Sequence, residues 1–305
     1  MTLAITGGTG FVGRRVVQLA PPPVQALARR TQPETAGVRW IAGDLADRGA
    51  LGRLCEGASA VIHIAGVVNA PDRAGFEIGN VRGTANVVAA AQAAGVRRFV
   101  QVSSLSAREP GLSDYGASKA AADAEVMASG LDWVIVRPPA VYGPGDTEML
   151  DLFRVARWGL GLAPGGAGGR ISIIHVDDLA RALLALAGGG PRQEILELDD
   201  GRGDAADGYS HAEFADLMGV ALGRRVQTFG VPGAVLGAAA AVATLAAKAG
   251  GTQPKLSRDR ARYMVHPDWV ARGGNARLAE LWAPKVGAAE GMAETVAGYR
   301  RKGWL

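Results

Sequence analysis

Cysteine, histidine and aromatic residues are scarce in this chain of 305 residues, and their scarcity excludes several classes of protein. A single cysteine, Cys55, cannot form an intrachain disulfide and is compatible with a reducing compartment, where a buried thiol only fills space. With four histidines and one cysteine, no group of His, Cys, Asp and Glu has the spacing of a metal site. We therefore predict neither a disulfide framework nor a bound metal.

Clustered charge is also lacking. The chain carries 33 Lys and Arg against 29 Asp and Glu, and the arginines are scattered, unlike the basic face of a nucleic-acid-binding protein. The N-terminal stretch MTLAITGGTGFVG has no basic region followed by a cleavable apolar core, so we expect no signal peptide and a cytoplasmic location. A small-molecule substrate is the partner we expect, with no nucleic acid.

Short apolar runs alternate with amphipathic segments up to about residue 140. We predict strands at 2–6, 24–28, 38–44, 60–66, 98–104, 132–138 and 194–200, and helices at 11–20, 47–56, 80–94, 115–129 and 210–223. This alternation predicts an α/β fold, a doubly wound parallel (Rossmann) sheet with a smaller, mostly helical C-terminal substrate lobe. The predicted domains are 1–165, to which 171–200 return, and 201–305. Ser210 and Glu213 have the spacing of a capping box at the start of the helix in the second domain.

A glycine-rich loop, TGGTGFVG, joins the first predicted strand to the first predicted helix. Gly7 permits the tight turn, Gly10 lets the backbone approach a pyrophosphate, and Gly13 lets the helix pack closely on the strand. The helix N-terminus would then face the phosphates with its N–H groups. The predicted cofactor contacts in this loop are Gly7, Thr9, Gly10, Phe11, Val12 and Gly13.

The end of the second strand reads ALARRT, with Arg29 and Arg30 where an NAD-binding sheet usually has an acidic residue. Two guanidinium groups suit a ribose 2′-phosphate, so the sequence favours NADP(H) over NAD(H).

Asp44, after the third strand, is predicted to reach the adenine amino group. His63 is expected to pack at a strand end. The remaining predicted cofactor contacts are Leu45, Ala65, Gly66, Tyr115, Lys119 and Pro138.

A tyrosine and a lysine follow the fifth strand with the spacing of one helical face: Tyr115 and Lys119 in YGASK. An ammonium group close to a phenol favours the phenolate, so Tyr115 could exchange a proton with a carbonyl or an alcohol. A nearby serine hydroxyl would orient the substrate oxygen. We assign that role to Ser104, with Ser103 as the alternative, and predict that Lys119 also holds the nicotinamide ribose.

These motifs, with GDL (43–45), NVRGTANVVAAA (80–91), RPPAVYGPGD (137–146) and HVDDLARALL (175–184), resemble the short-chain dehydrogenase/reductase superfamily in its extended, epimerase-like branch. The resemblance covers essentially the whole chain and implies that Ser104, Tyr115 and Lys119 carry the proton-transfer chemistry. It also implies that the segment after Arg137 passes beside the nicotinamide. Asn80 either orients the lysine through water or is a helix-capping or packing amide, and His175 belongs to a structural turn.

The branch contains several activities, and the fold alone does not choose among them. Leu105 and Ser106 replace the acid pair that a sugar dehydratase needs, so dehydration is disfavoured. We favour an NADP(H)-dependent oxidoreductase that transfers hydride between the nicotinamide and a carbonyl or alcohol, with a fairly apolar substrate. A non-catalytic NADP(H)-binding protein like the complex I accessory subunit, and a nucleotide-sugar epimerase, are the alternatives.

Residues 231–251 form a stretch without charge up to Ala247. Val231, Val235, Val242 and Leu245 fall on one helical stripe, but alanine and glycine make most of the remainder. We predict a small-residue helix that begins near Pro232, ends at Gly250-Gly251 and packs closely or covers the substrate cleft, with membrane contact disfavoured. The alanine-rich helices at 80–94 and 115–129 favour a homodimer through pairing of such helices, as the resemblance implies.

Overall fold

The computed structural model describes residues 1–202, 207–249, 256–273 and 276–305. Its strands are β1 Leu3–Thr6, β2 Val24–Ala28, β3 Val38–Ala42, β4 Ala60–His63, β5 Arg98–Val102, β6 Asp132–Arg137, β7 Ala140–Tyr142, β8 Leu160–Pro164, β9 Arg170–Ile171, β10 Ile173–His175, β11 Glu194–Glu197, β12 Tyr209–Ser210, β13 Gln227–Val231 and β14 Asp268–Trp269.

Twelve α-helices of the described residues are α1 Phe11–Leu19, α2 Arg48–Cys55, α3 Arg73–Phe76, α4 Gly83–Ala93, α5 Asp114–Met127, α6 Leu150–Ala156, α7 Val176–Gly188, α8 His211–Leu222, α9 Gly233–Ala249, α10 Arg258–Met264, α11 Ala276–Ala279 and α12 Ala288–Arg301. A π-helical turn, Glu77–Arg82, joins α3 to α4, and a 3₁₀ turn, Leu105–Arg108, follows β5.

The chain separates into two compact units. The first comprises Met1–Pro138, Val176–Glu197 and Gly273–Ala283, and the second comprises Pro139–His175, Leu198–Arg272 and Pro284–Leu305. This division differs from the predicted boundaries at 165 and 200, because the chain leaves the large sheet directly after β6. Among the described residues, the strands β7 to β10 then pair with one another and with β12, β13 and β14.

Seven parallel strands form the sheet of the first unit in the order β11-β6-β5-β4-β1-β2-β3. Strands β1, β2, β4 and β5 are buried along their whole length, as expected for a sheet covered on both faces. The prediction of a doubly wound parallel sheet is confirmed. The strand order reverses at β1, which has β2 on one side and β4 on the other, and ligands of such sheets bind outside the carboxyl ends of the strands at this point.

The helices of the first unit form two groups: α1 packs against α7, while α4 packs against both α2 and α5. The second group covers a core that includes Leu51, Leu54, Val87, Phe99 and Trp133. Burial of each of these large side chains is worth roughly 1.5–3 kcal/mol, so the core holds the strand ends in a fixed arrangement.

Several strands end two residues or more before the predicted boundary, at Ala42, His63 and Val102. After β3 the backbone turns at Gly43, whose φ of +151° suits glycine and where a Cβ would lie 2.3 Å from Ala50 Cβ. The residues that the prediction placed in the strands are therefore loop residues at the carboxyl edge of the sheet.

The second unit has a core built around Tyr142, Phe153 and Tyr299 under short paired strands and five helices of the described residues. The predicted capping box at the start of α8 is confirmed, because Ser210 Oγ accepts from the Glu213 N–H and the Glu213 carboxylate accepts from the Ser210 N–H.

The uncharged stretch forms the helix α9, and its predicted end at Gly250-Gly251 lies outside the described residues. Val235, Val242 and Leu245 are 56%, 69% and 72% exposed, so this stripe is not buried in a core, and the expectation that the helix packs closely or covers the substrate cleft stays a prediction. Within the described residues, no helix combines the length and the apolar character that a membrane crossing needs.

Candidate active site

Most predicted site residues of the first unit directly follow the carboxyl ends of strands of the same parallel sheet, whereas Tyr115 and Lys119 lie on the helix after β5. The glycine loop follows β1, Arg29 and Arg30 follow β2, Asp44 and Leu45 follow β3, Ala65 and Gly66 follow β4, Ser103 and Ser104 follow β5, and Pro138 follows β6. Because parallel strands point the same way, these residues share one edge of the sheet, at the reversal of strand order.

The glycine loop is too tightly packed for side chains at two positions. Gly7 has a φ of +74°, and a Cβ there would lie 2.7 Å from the Ala65 backbone nitrogen. A Cβ at Gly13 would lie 2.0 Å from the Gly7 carbonyl oxygen, so α1 approaches β1 only because this residue is glycine. The Gly10 N–H donates to the Gly7 carbonyl over 2.9 Å and closes the turn.

The N-terminus of α1 is open to an anion. Its N-cap is Gly10, which has no capping side chain, and its first turn contains no acidic residue. The first N–H groups of a helix have no partner inside the helix and carry a partial positive charge. The loop therefore fits the pyrophosphate of a dinucleotide, held by backbone N–H groups at the start of α1.

Beyond β2, the edge of the sheet carries two exposed arginines, Arg29 and Arg30. Arg30 lines a hollow of about 800 Å³, together with Thr31, Gln32 and Trp40. Glu34 is the single acidic residue in that lining, and it lies beyond the turn that directly follows β2. The surroundings of this turn thus offer cationic groups to a phosphate and no carboxylate at the position where NAD-binding sheets usually have one.

Asp44 is exposed, and its carboxylate closes the turn after β3: Oδ1 accepts from the Ala46 N–H at 2.8 Å and the Asp47 N–H at 3.1 Å. Leu45 packs against α4, where a Cβ at Gly83 would lie 2.7 Å from Leu45 Cδ1. Both residues therefore shape the loop, whether or not they touch a cofactor.

Lys119 is buried, and its ammonium group donates to the Val102 carbonyl at the end of β5 over 2.7 Å. Burial lowers the pKa of Lys119 to about 8, an effect that the negative charge of Asp123 opposes. The helix α5 is thereby tied to the strand end that leads into Ser103 and Ser104.

Asn80 connects three segments of the site from the π-helical turn. Its Oδ1 accepts from the Val67 N–H at 2.8 Å, and its Nδ2 donates to the Val67 carbonyl at 3.0 Å and to Ser118 Oγ at 2.9 Å. A Cβ at Gly66 would lie 2.9 Å from Asn80 Oδ1 and 3.9 Å from Lys119 Nζ. Asn80 is therefore a buried bridging amide next to the lysine, and π-helical turns often occur at functional sites.

The sequence analysis did not predict the ion pair between Asp123, one helical turn after Lys119, and Arg137. Asp123 is completely buried, and its Oδ2 accepts from Arg137 Nη2 at 3.0 Å and Nε at 3.1 Å. Burial raises the pKa of Asp123, while the neighbouring Ser103 hydroxyl and the charges of Arg137 and Lys119 lower it. The spacing of Asp123 four residues after Lys119 on one helix was the available signal.

Tyr115 lies in the first turn of α5, one turn before Lys119, and is half-buried with its ring 6.0 Å from that of Phe76. Ser104 is half-buried, and its Oγ accepts from the Ser106 N–H at 3.2 Å. The bond from Lys119 to Val102 thus joins the two elements that carry the tyrosine and the serines.

His63 and Cys55 are both buried. His63 is within 2.6 Å of Thr6 Oγ1 and 3.0 Å of Thr84 Oγ1, and burial followed by the charge of Lys119 lowers its pKa to about 3. The expectation that His63 packs at a strand end is confirmed. Burial raises the pKa of the Cys55 thiol to about 11, so it stays protonated at neutral pH.

Seven parallel strands in this order, with a glycine loop opening α1 at the reversal point, define a dinucleotide-binding protein of Rossmann type. A family model described as NAD(P)H-binding matches residues 7–185. The chain belongs to this NAD(P)H-binding family, within the short-chain dehydrogenase/reductase superfamily, and it is an NAD(P)-dependent oxidoreductase.

Two curated relatives and one solved structure illustrate the similarity. The ceramide reductase of Caulobacter vibrioides is 37% identical over 99% of this chain and 96% of its own length. The 2-alkyl-3-oxoalkanoate reductase of Stenotrophomonas maltophilia is 34% identical over 60% of this chain and 64% of its own length. The crystal structure of gox2253 superimposes with a TM-score of 0.78 at 22% identity, covering 100% of this chain and 99% of that one, which shows a shared fold. The epimerase and non-catalytic alternatives are not favoured by these comparisons.

Proposed function

We propose that this protein reduces a carbonyl group on a long-chain lipid of the ceramide class with NADPH. The observation that carries the proposal is the 37% identity to a ceramide reductase, which extends over 99% of this chain and 96% of the relative. The similarity therefore includes the second unit, which in this superfamily's two-part architecture is the substrate lobe that we predict.

The residues of the first unit have distinct roles in the proposed transfer of a hydride and a proton. The bound nicotinamide would supply the hydride. Tyr115 gives its proton to the carbonyl oxygen as that oxygen becomes an alcohol, and the Lys119 ammonium group favours the phenolate that remains. Ser104, or Ser103 in its place, hydrogen-bonds the same oxygen and orients it. Burial of Lys119 and its bond to Val102 support this arrangement, because they hold the charge at a defined place.

The direct test is NADPH oxidation with a panel of keto-lipids, simple ketones and UDP-glucose. We expect turnover with a keto-lipid that bears an amide-linked acyl chain and none with UDP-glucose. The Tyr115→Phe variant should lose activity by at least about a hundredfold while binding NADPH with unchanged affinity. Full activity of Tyr115→Phe would remove the tyrosine from the mechanism. Tight NADPH binding without turnover of any carbonyl would refute the reductase.

Selection of NADP(H) over NAD(H) is part of the same proposal. Arg29 and Arg30 would bind the ribose 2′-phosphate, and replacing both by alanine should raise the KM for NADPH about tenfold or more with little effect on that for NADH. The matched control is Arg48→Ala, an exposed arginine at the start of α2. An equal effect on both cofactors would contradict the assignment.

We further propose a homodimer that works in the cytoplasm. The alanine-rich helices α4 and α5, which pack against each other, support the dimer, and the buried single cysteine suits a reducing compartment. Sedimentation equilibrium on the purified chain measures the oligomeric state directly, and a monomer at micromolar concentration would exclude the dimer.

A further inference from the structure

The second unit carries large apolar side chains on its outer surface. The strands β8 and β13 pair in parallel with Leu162 beside Phe229, so these two side chains share one face of the ribbon with Leu160. All three are between 42% and 46% exposed. The other face of the ribbon packs on α8, where a Cβ at Gly161 would lie 2.8 Å from Ala215 Cβ. The ribbon therefore turns its small residues inward and its large apolar residues outward.

The helix α9, which follows β13 after one residue, has the same inverted arrangement. Ala240 and Ala247 are buried, whereas Val235, Val242 and Leu245 are more than half exposed. A helix on the surface of a water-soluble unit usually buries its larger apolar side chains and presents polar ones to water. We call the exposed set Leu160, Leu162, Phe229, Val235, Val242 and Leu245 the apolar face. No charged residue lies between Arg225 and Lys248 in the sequence.

Basic and aromatic residues adjoin the start of the ribbon. Arg157 precedes β8 with its guanidinium 5.4 Å from the ring centre of Trp158, which is 71% exposed. Arg224 and Arg225 precede β13 and are exposed, and a Cβ at Gly159 would lie 3.3 Å from the Arg225 carbonyl. The segment 224–262 contains seven Lys or Arg and one Asp, a net charge of +6, whereas the whole chain carries +4. The rest of the chain is therefore net negative.

We propose that the apolar face docks on the surface of an anionic lipid bilayer. Exposed Leu, Val and Phe side chains can enter the boundary between headgroups and acyl chains, and an exposed Trp suits that interface. An arginine at this boundary can lay its apolar methylene groups along the acyl chains while its guanidinium group reaches the lipid phosphates. Each arginine also adds electrostatic attraction to anionic lipid. A second copy of the chain would instead bring two basic segments towards each other. Bilayer contact, which the sequence analysis disfavoured, is thus favoured by what the structure leaves exposed, independently of the substrate.

The experiment is flotation of the full chain with phosphatidylcholine vesicles that contain or lack phosphatidylglycerol, at low and high salt. We expect binding that needs the anionic lipid and weakens at high salt. The double variant Val242→Glu/Leu245→Glu should bind at least about tenfold more weakly, because it places two carboxylates at the lipid boundary. The double variant Arg224→Glu/Arg225→Glu should lose the dependence on phosphatidylglycerol.

The matched control is Val220→Glu, a 75% exposed valine on α8, the helix on the opposite side of the ribbon from Leu162 and Phe229. This variant should bind vesicles like the unchanged chain. Far-UV circular dichroism and the urea-unfolding midpoint verify that every variant is folded, because all the substitutions lie in the second unit. Absence of vesicle binding by the unchanged chain, or equal loss in Val220→Glu, would overturn the proposal. Self-association abolished by Val242→Glu/Leu245→Glu, without vesicle binding, would assign the face to contacts between copies and likewise overturn it.

Discussion

At the scale of single residues, the feature with the clearest chemical consequence is the buried row of charges that begins at Lys119. Its ammonium group has no bulk water around it, and the carboxylate of Asp123 on the next helical turn keeps its pKa from falling further. Asp123 is held in turn by two hydrogen bonds from Arg137. The protonation of the lysine therefore depends on a carboxylate that is itself fixed by β6.

We predict that Asp123→Asn moves the alkaline limit of activity to lower pH. The Lys119 amine is protonated below its pKa of about 8 and loses its charge as the pH rises through that value. Removing the carboxylate lowers this pKa, so the charge that we propose to assist Tyr115 disappears at a pH lower by roughly 0.5–1 unit or more. The pH profile of kcat/KM measures the shift.

The control for this prediction is Asp132→Asn. Asp132 accepts from Arg98 at 3.1 Å in a comparable, nearly buried ion pair, but it lies at the start of β6, away from the carboxyl edge. This variant should lose stability and keep the alkaline limit. If both variants shift the alkaline limit of kcat/KM equally, the shift results from a general loss of stability, and Lys119 is not the group whose titration sets the limit.

At the scale of elements, the loop between β1 and α1 depends on close contact of two backbones. The helix is short, nine residues, and begins without a capping side chain, so its position relies on packing against α7 and on the close approach to the β1 end at Gly13. The same closeness leaves the first N–H groups of α1 at the edge of the sheet, where an anion can reach them.

We predict that Gly13→Ala destabilises the protein and impairs NADPH binding together. The added methyl would lie 2.0 Å from the Gly7 carbonyl oxygen, which forces α1 away from β1. Such overpacking against backbone should cost about 3 kcal/mol in the free energy of unfolding, and cofactor affinity should fall about tenfold or more. Urea unfolding and NADPH fluorescence titration measure the two effects.

Gly52→Ala in α2 is the control, because nothing lies within 4 Å of the Cβ position there. Alanine is the better helix former, so this variant should gain about 0.5–1 kcal/mol and bind NADPH normally. An unchanged affinity in Gly13→Ala would show that the loop tolerates displacement of the helix.

At the scale of the whole molecule, one arginine joins parts of the first unit that are about ninety residues apart. Arg98 on β5 donates to the carbonyls of Leu186, Gly189 and Pro191 at 2.7–3.0 Å and pairs with Asp132. These carbonyls belong to the end of α7 and the turn into β11, the edge strand of the sheet. The return of the chain to the sheet is therefore fixed by a single buried guanidinium.

We predict that Arg98→Met lowers the free energy of unfolding by about 3–5 kcal/mol, because three carbonyls lose their donor in a buried place and Asp132 keeps, among the described residues, only Arg192 as its partner. The control Arg154→Met removes an exposed pair with Asp151, in which both side chains are about half exposed, and should cost less than about 1 kcal/mol. Equal stability of the two variants in urea unfolding would show that the carbonyls find other partners.

Much of the first unit could be predicted from the sequence, since its strands bury both faces and read as continuous apolar runs between helix patterns. The bounds of α1 and α5, the glycine loop and the capping box of α8 follow from signals within a few residues. The predicted strands at 38–44, 60–66 and 98–104 run past the observed ends at Ala42, His63 and Val102, because the course of the loops that follow depends on neighbouring strands.

The sequence by itself determined the class of fold and the types of residue at the carboxyl edge, because periodicity and turn chemistry act over short distances along the chain. Only the tertiary structure decided that Asp123 and Arg137 stand behind Lys119, that Asn80 bridges Val67 and Ser118, and which side of α9 faces outward. Each of these depends on contacts between segments far apart in sequence, and a stripe of valines looks the same whether a core or the solvent adjoins it. The apolar stretch at 231–249 shows the difference: its helix was predictable, but its exposed face was not.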